Sequence, residues 1–176
     1  MAKRFKLDVG DVFSIPLNNS EIGFGQCINQ YDKRSGGFVI AVYNYRQSKD
    51  SDNDLSEIVS SIPLFLGFTF DAKLFHKDWL VLGNCISNLD QIKLPYNRLS
   101  SQSDTMYLLD VNNKCISEIS EDIYNELNHR TEIAPIRFEN ALKAYFGLQE
   151  WNEEEYDKLL YKHALKSNEI AENFLM

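Results

Sequence analysis

VGDVFSIPLNNSEIGFGQCINQYDKRSGGFVIAVYNY, residues Val9 to Tyr45, reads as three strands joined by two polar turns. From Val12 to Leu17 the pattern alternates, and Phe13, Ile15 and Leu17 share one face. Pro16 has no N–H to give a ladder and belongs at a strand end or an edge. Asn18-Asn19-Ser20 is turn chemistry, because asparagine tolerates positive φ and bonds its own backbone. The second strand runs from Ile22 to Tyr31. Its Gly23 and Gly25 lie on the face opposite Phe24, and a strand glycine marks a bulge or the close approach of another backbone. Asp32 to Gly37 is a polar hairpin loop. Phe38 to Tyr45 is β-branched and aromatic and apolar on both faces, which places it centrally in the sheet.

Working outward, Arg46 to Asp54 is a charged loop, and Asp54 or Ser56 caps a short helix through Ile58. Pro63 restarts the sheet with Leu64 to Phe70. Trp79 to Gly83 is a shorter strand, expected to pair with it as a hairpin. Asn84 to Ser103 reads as irregular. Met106 to Asp110 and Cys115 to Ile119 form a hairpin about Asn112-Asn113. The pattern changes at Ser120, which opens a helix with acidic residues in its first turn. Pro135 starts a second helix that Gly147 stops. Asn152 caps a third, whose inner face continues through Tyr156, Leu159, Leu160 and His163. Strands followed by helices argue an α+β fold. The expected architecture is a bent, mostly antiparallel sheet, with partial barrel closure left open, followed by C-terminal helices packed on it. One domain is expected over 1–176, with the sheet in about residues 7–119 and the helices in 120–176.

The 176 residues are 44% hydrophobic and 25% charged, which argues against disorder except at ends and loop tips. The net charge is −8 and uneven: +3 over residues 1–49, −5 over 50–119 and −6 over 120–176. Nucleic-acid binders are usually basic, so the balance argues against that class. An acidic body is soluble, and it also attracts a basic partner. Cys27, Cys85 and Cys115 have no metal or redox spacing and read as free thiols. The basic residues near the N-terminus precede no apolar run, so no signal peptide is expected. No stretch approaches the roughly 18 apolar residues of a membrane span. A cytoplasmic protein with no membrane contact is the expectation.

No catalytic constellation is legible. His76, His129 and His163 lack zinc spacing. Asp50, Asp52 and Asp54 resemble the start of a calcium loop, but Leu55 replaces the glycine and Ser61 the closing glutamate. Gly23-Phe24-Gly25 lacks the third glycine and the helix of a phosphate cradle. No metal-ligand set and no phosphate cradle is therefore expected, and a catalytic set whose residues meet only in three dimensions stays open. Tyr31, Phe38, Tyr43 and Tyr45 stand beside Lys33, Arg34 and Arg46. That interleaving supports three readings: a core with its rim, a base-stacking sheet, or a protein interface.

Gly10-Asp11-Val12-Phe13-Ser14-Ile15-Pro16-Leu17 followed by Gly23-Phe24-Gly25-Gln26 resembles the opening of the immunity protein 26 family of bacterial polymorphic toxin systems. Pro63 to Gly67 and Trp79 to Asn84 resemble its second block. Together these cover about residues 8–96. Residues 120–176 lie outside the resemblance. It implies a cytoplasmic protein, neither enzyme nor cofactor binder, that neutralises a cognate toxin by binding it. A basic nuclease would suit the acidic body. Charge and aromatic placement put the candidate contact surface at Asp50, Asp52 and Asp54 with Tyr43 and Tyr45. The alternatives are a nucleic-acid or regulatory module on the N-terminal sheet, and a small hydrolase with Cys27, Cys85 or Cys115 beside His76 or His129 in an apolar pocket.

Overall fold

Alternating apolar residues and well-placed turns produce eight strands among the residues that a computed structural model describes, 5–32 and 36–176. The readings made for Met1 to Arg4 and for Lys33, Arg34 and Ser35 lie outside them. The strands are β1 (Asp11–Pro16), β2 (Glu21–Asp32), β3 (Gly37–Ser48), β4 (Pro63–Phe70), β5 (Leu80–Asn84), β6 (Asn97–Ser100), β7 (Met106–Leu109) and β8 (Cys115–Glu118). The helices are α1 (Leu55–Val59), α2 (Ala72–Phe75), α3 (Glu121–Glu126), α4 (Pro135–Tyr145), α5 (Glu153–Tyr156) and α6 (Tyr161–Leu175). The fold is α+β, and all strand pairings between them are antiparallel. Neither sheet closes into a barrel. The chain forms two compact units, one of residues 1–92 and 132–160, the other of 93–131 and 161–176.

The first unit holds a five-stranded sheet in the order β4-β3-β2-β1-β5. β3 is flanked on both sides, as its two apolar faces require. One sheet face carries Phe13, Ile15, Leu17, Ile40, Val42 and Phe65 into the main core with Phe138, Ala141 and Leu142 of α4. The strand glycines explain how the helix comes so close. A Cβ on Gly23 would lie 2.5 Å from Leu142 Cδ2, and one on Gly67 2.9 Å from Phe138 Cζ. Burying Phe138 and Leu142 stabilises this seat by about 1.5–3 kcal/mol each. Gly25 makes room for Phe13, whose ring would meet a Cβ there at 2.5 Å. Phe13 in turn stacks on Trp79 at 5.2 Å.

Trp79 Nε1 donates to the buried Glu139 of α4 at 3.1 Å. Glu139 also accepts from Lys143 Nζ at 2.7 Å and pairs with Lys73 Nζ at 3.5 Å. Partial burial opposes the Lys73 charge, but the hydrogen bond to Asp78 and the charges of Glu139 and Asp78 hold its pKa above the ordinary lysine value. A buried carboxylate is tolerable only when paired in this way. β4 and β5 do not form the expected hairpin; they occupy opposite edges. The connection between them crosses the intervening strands and buries Leu74 and Trp79 in the main core. The third helix also departs from expectation. α5 ends after four residues, and Leu160 turns extended to bridge Phe65 before α6 begins.

The second unit holds the sheet β6-β7-β8, its hairpin turning at Asn113 with φ 66. β6 arises within the segment expected to be irregular. Leu108, Leu127 and Ala171 form the core with Tyr96, Ile119, Ile123 and Ile170 beside them. α6 buries Ser167 and Asn168. Asn168 accepts from Tyr96 N at 3.0 Å and donates to the Leu94 carbonyl at 2.9 Å. Ser167 Oγ donates to the Tyr96 carbonyl at 3.2 Å. These side chains stand in for a strand partner and satisfy an extended backbone segment.

The glycine seat gives a direct test. Gly25→Ala should lower stability in chemical denaturation by about 1–3 kcal/mol, because the Phe13 ring has no room to withdraw. Phe13→Leu should then cost less in the Gly25→Ala background than in the wild type, the signature of coupled neighbours.

Candidate partner-binding site

The acidic loop grows out of the end of β3. Lys49 N donates to the Ser20 carbonyl at 2.9 Å and Ser51 N to the Ser48 carbonyl at 3.1 Å. Gln47 holds the loop from inside through the Asp52 carbonyl and Asn53. Asp54 caps α1, its Oδ1 accepting from Glu57 N at 3.1 Å. Asp50, Asp52 and Asp54 are exposed. None of them has an ion-pair partner among the described residues, nor has Asp11 or Glu57. No group of three or more His, Cys, Asp or Glu among the described residues could hold a metal ion.

Tyr45 is half-buried, its ring edge-on to Phe24 at 5.7 Å. Tyr43 corrects the expectation: it is 0% exposed and has no surface to offer a partner. Its strand position points it inward, where its O–H donates to Gln26 Oε1 and its oxygen accepts from Asn88 Nδ2 at 2.8 Å. Gln26 Nε2 donates to the Cys85 carbonyl at 2.7 Å and to Asn88 Oδ1 at 3.1 Å. This buried trio ties the segment after β5 to β2 and β3. Its members satisfy one another, so its burial costs little. A lone glutamine in an alternating strand gave no sequence signal of such a partner.

The trio places Cys85 beside α1 and Ile86 against Gly10. Ser56 Oγ lies 4.0 Å from Cys85 Sγ, and Ser87 Oγ lies 3.3 Å from it. Leu55 reaches over Gly83, where a Cβ would meet its Cδ1 at 2.8 Å. Gly10, at φ +94, leaves space for Ile86 Cγ2, 2.6 Å from where its Cβ would stand. Asn84 Nδ2 donates to Asp11 Oδ1 at 2.9 Å. The acidic loop, α1 and the end of β5 are therefore contiguous.

Phe38 and Tyr43 are buried, and Tyr31 packs edge-on to Phe68 and donates to Glu132. Arg46 lies 5.0 Å over the Phe146 ring. Among the described residues, Phe38 and Tyr43 belong to the core and Tyr31 to its rim. No histidine hydrogen-bonds Cys27 or Cys85 among the described residues. His129 Nδ1 contacts the Arg130 carbonyl at 2.9 Å instead. No helix among the described residues is long and apolar enough to cross a membrane.

The family model described as Immunity protein 26 matches residues 8–107, from the approach to β1 into β7. That is more than half of the chain, and the chain belongs to this family. No curated protein and no solved structure shows a significant match.

Two measurements check this geometry. Tyr43→Phe should cost about 1–3 kcal/mol of stability, because Gln26 and Asn88 stay buried without its hydroxyl. The thiols should separate in pH-resolved alkylation read by mass spectrometry. Burial, reinforced by Asp11, pushes the Cys27 pKa up from 9.0 to about 12, while the Ser87 hydrogen bonds pull Cys85 below the ordinary value. The folded protein should therefore alkylate at Cys85 while Cys27 stays protected through pH 9. With the unfolded Cys27 ionising near 9.0 and the folded one near 12, its stability contribution is full below pH 9 and falls as pH rises through that window.

Proposed function

We propose, from membership of the immunity protein 26 family, that this chain neutralises a cognate bacterial toxin by binding it directly in the cytoplasm. It does so as a stoichiometric inhibitor, with no reaction or cofactor of its own. The observation that carries the reading is the family match over residues 8–107. Charge supports it: residues 50–176 carry −11 against +3 in residues 1–49, and such a field accelerates encounter with a basic protein and fixes its orientation. A nuclease suits this partner, since the face that grips nucleic acid must itself be basic.

The contact surface we assign is Asp50, Asp52 and Asp54 with Tyr45. The three carboxylates are exposed and none is ion-paired among the described residues, so an incoming Lys or Arg displaces no cation; Asp54 keeps one carboxylate oxygen on the α1 cap. Tyr45 adds a half-buried ring of the kind enriched at interfaces. Tyr43 lies beneath and contributes by holding the 85–88 segment in place.

The toxin domain encoded beside this chain's gene should arrest cell growth, and co-production of this chain should restore it. Failure to rescue rejects the reading. In calorimetry, Asp50→Lys/Asp52→Lys/Asp54→Lys should weaken binding of that domain by about tenfold or more and flatten its salt dependence. Unchanged binding moves the contact surface elsewhere.

A further inference from the structure

The five-stranded sheet is open at one side only, among the described residues. β4 is covered along its outer edge by bridges from Phe65 to Leu160 and from Phe68 to Glu132. β5 pairs with β1 on its inner side, and no described strand pairs with its outer side. Edge strands are usually blunted with charge, because unpaired N–H and C=O groups template association. β5 has the opposite surface. Leu80 is 52% exposed, Val81 40% and Ile86 65%, with Val9 at 39% beside Gly10. Its pairing carries a bulge, where Val12 pairs with Gly83 and Phe13 with Val81, leaving Leu82 unpaired.

Carboxylates gather at the Asn84 end of this edge, while Lys73, paired with Asp78 and Glu139, stands by its Leu80 end. Asp11 is bonded to Asn84 at one end of β5, and Asp54 and Glu57 flank Leu55 over Gly83. None of these carboxylates has an ion-pair partner among the described residues. A five-residue strand by itself falls short of the roughly 1,000 Å² that a specific interface buries. An occupant that binds here therefore extends from the strand edge onto the acidic rim.

We propose that the outer edge of β5 receives an extended segment of the toxin as a sixth strand. The segment combines apolar residues with Lys or Arg. Its backbone pairs with β5, its apolar side chains cover Val81 and Ile86, and its cations lie toward Asp11, Asp54 and Glu57. Main-chain pairing supplies affinity and side-chain alternation supplies specificity, as in other strand-addition complexes. The proposal rests on toxin neutralisation and names the place and form of that contact.

The test uses the full chain and the toxin domain encoded beside its gene, inactivated at its catalytic site. Val81→Lys/Ile86→Lys should raise the Kd by at least about tenfold. Ile62→Lys, at a 77% exposed residue preceding β4 at the opposite edge, should leave it unchanged. Thermal melts matching the wild type would show both variants folded. Tight binding by a folded Val81→Lys/Ile86→Lys variant overturns the edge while leaving neutralisation intact. Absence of binding by the wild type overturns both. A dimer of the chain alone that this variant dissolves, with toxin affinity unchanged, assigns the edge to a second copy and also overturns the proposal.

Discussion

Helix α4 lies close against the five-stranded sheet because Gly23 and Gly67 carry no side chain where Leu142 and Phe138 come down. Most of the first unit's core follows from that contact. Gly25 admits Phe13 on the same face, Phe13 supports Trp79, and Trp79 holds the Glu139 carboxylate of α4. The cluster locks the residues just before β5 to the helix. Close packing makes the arrangement steep in energy, since one added methyl group has no void to enter.

The other face of the sheet does different work. Gln26, Tyr43 and Asn88 close a buried hydrogen-bonded set that fixes where the chain goes after β5. That path places Ile86 against Gly10 and Cys85 against α1. The acidic loop and the open strand edge are thereby neighbours on a rigid support. A binding protein needs such preorganisation, because ordering its surface on contact would subtract from affinity. Family membership implies a toxin as partner, and the proposed edge with its carboxylate rim would accept an apolar, cationic segment of it.

Much of this was legible in the residues. Alternation at Phe13, Ile15 and Leu17 gave the buried face, Asn112-Asn113 the hairpin, and Pro135 and Gly147 the limits of α4. Gly23 and Gly25 signal a bulge or the close approach of another backbone: the register does shift between them, and what comes close to Gly23 is a helix side chain rather than a backbone. What failed was long-range. β4 and β5 are adjacent in sequence and were read as a hairpin, but pairing depends on where Trp79 finds its stack. The break at Leu160 was hidden because its cause is a bridge to Phe65, ninety-five positions earlier. Tyr43 looked like an interface tyrosine because sequence does not say which polar groups lie in reach of a buried hydroxyl. The edge of β5 was invisible for the same reason: a strand is an edge only by virtue of what fails to pair with it.

Amide hydrogen exchange of this chain, alone and with the inactivated toxin domain encoded beside its gene, tests the central claim most directly. Strand addition predicts that amides of Leu80 to Asn84 slow sharply in the complex, with smaller protection across Asp50 to Glu57. A stable complex that leaves Leu80 to Asn84 exchanging as in the free chain would contradict it.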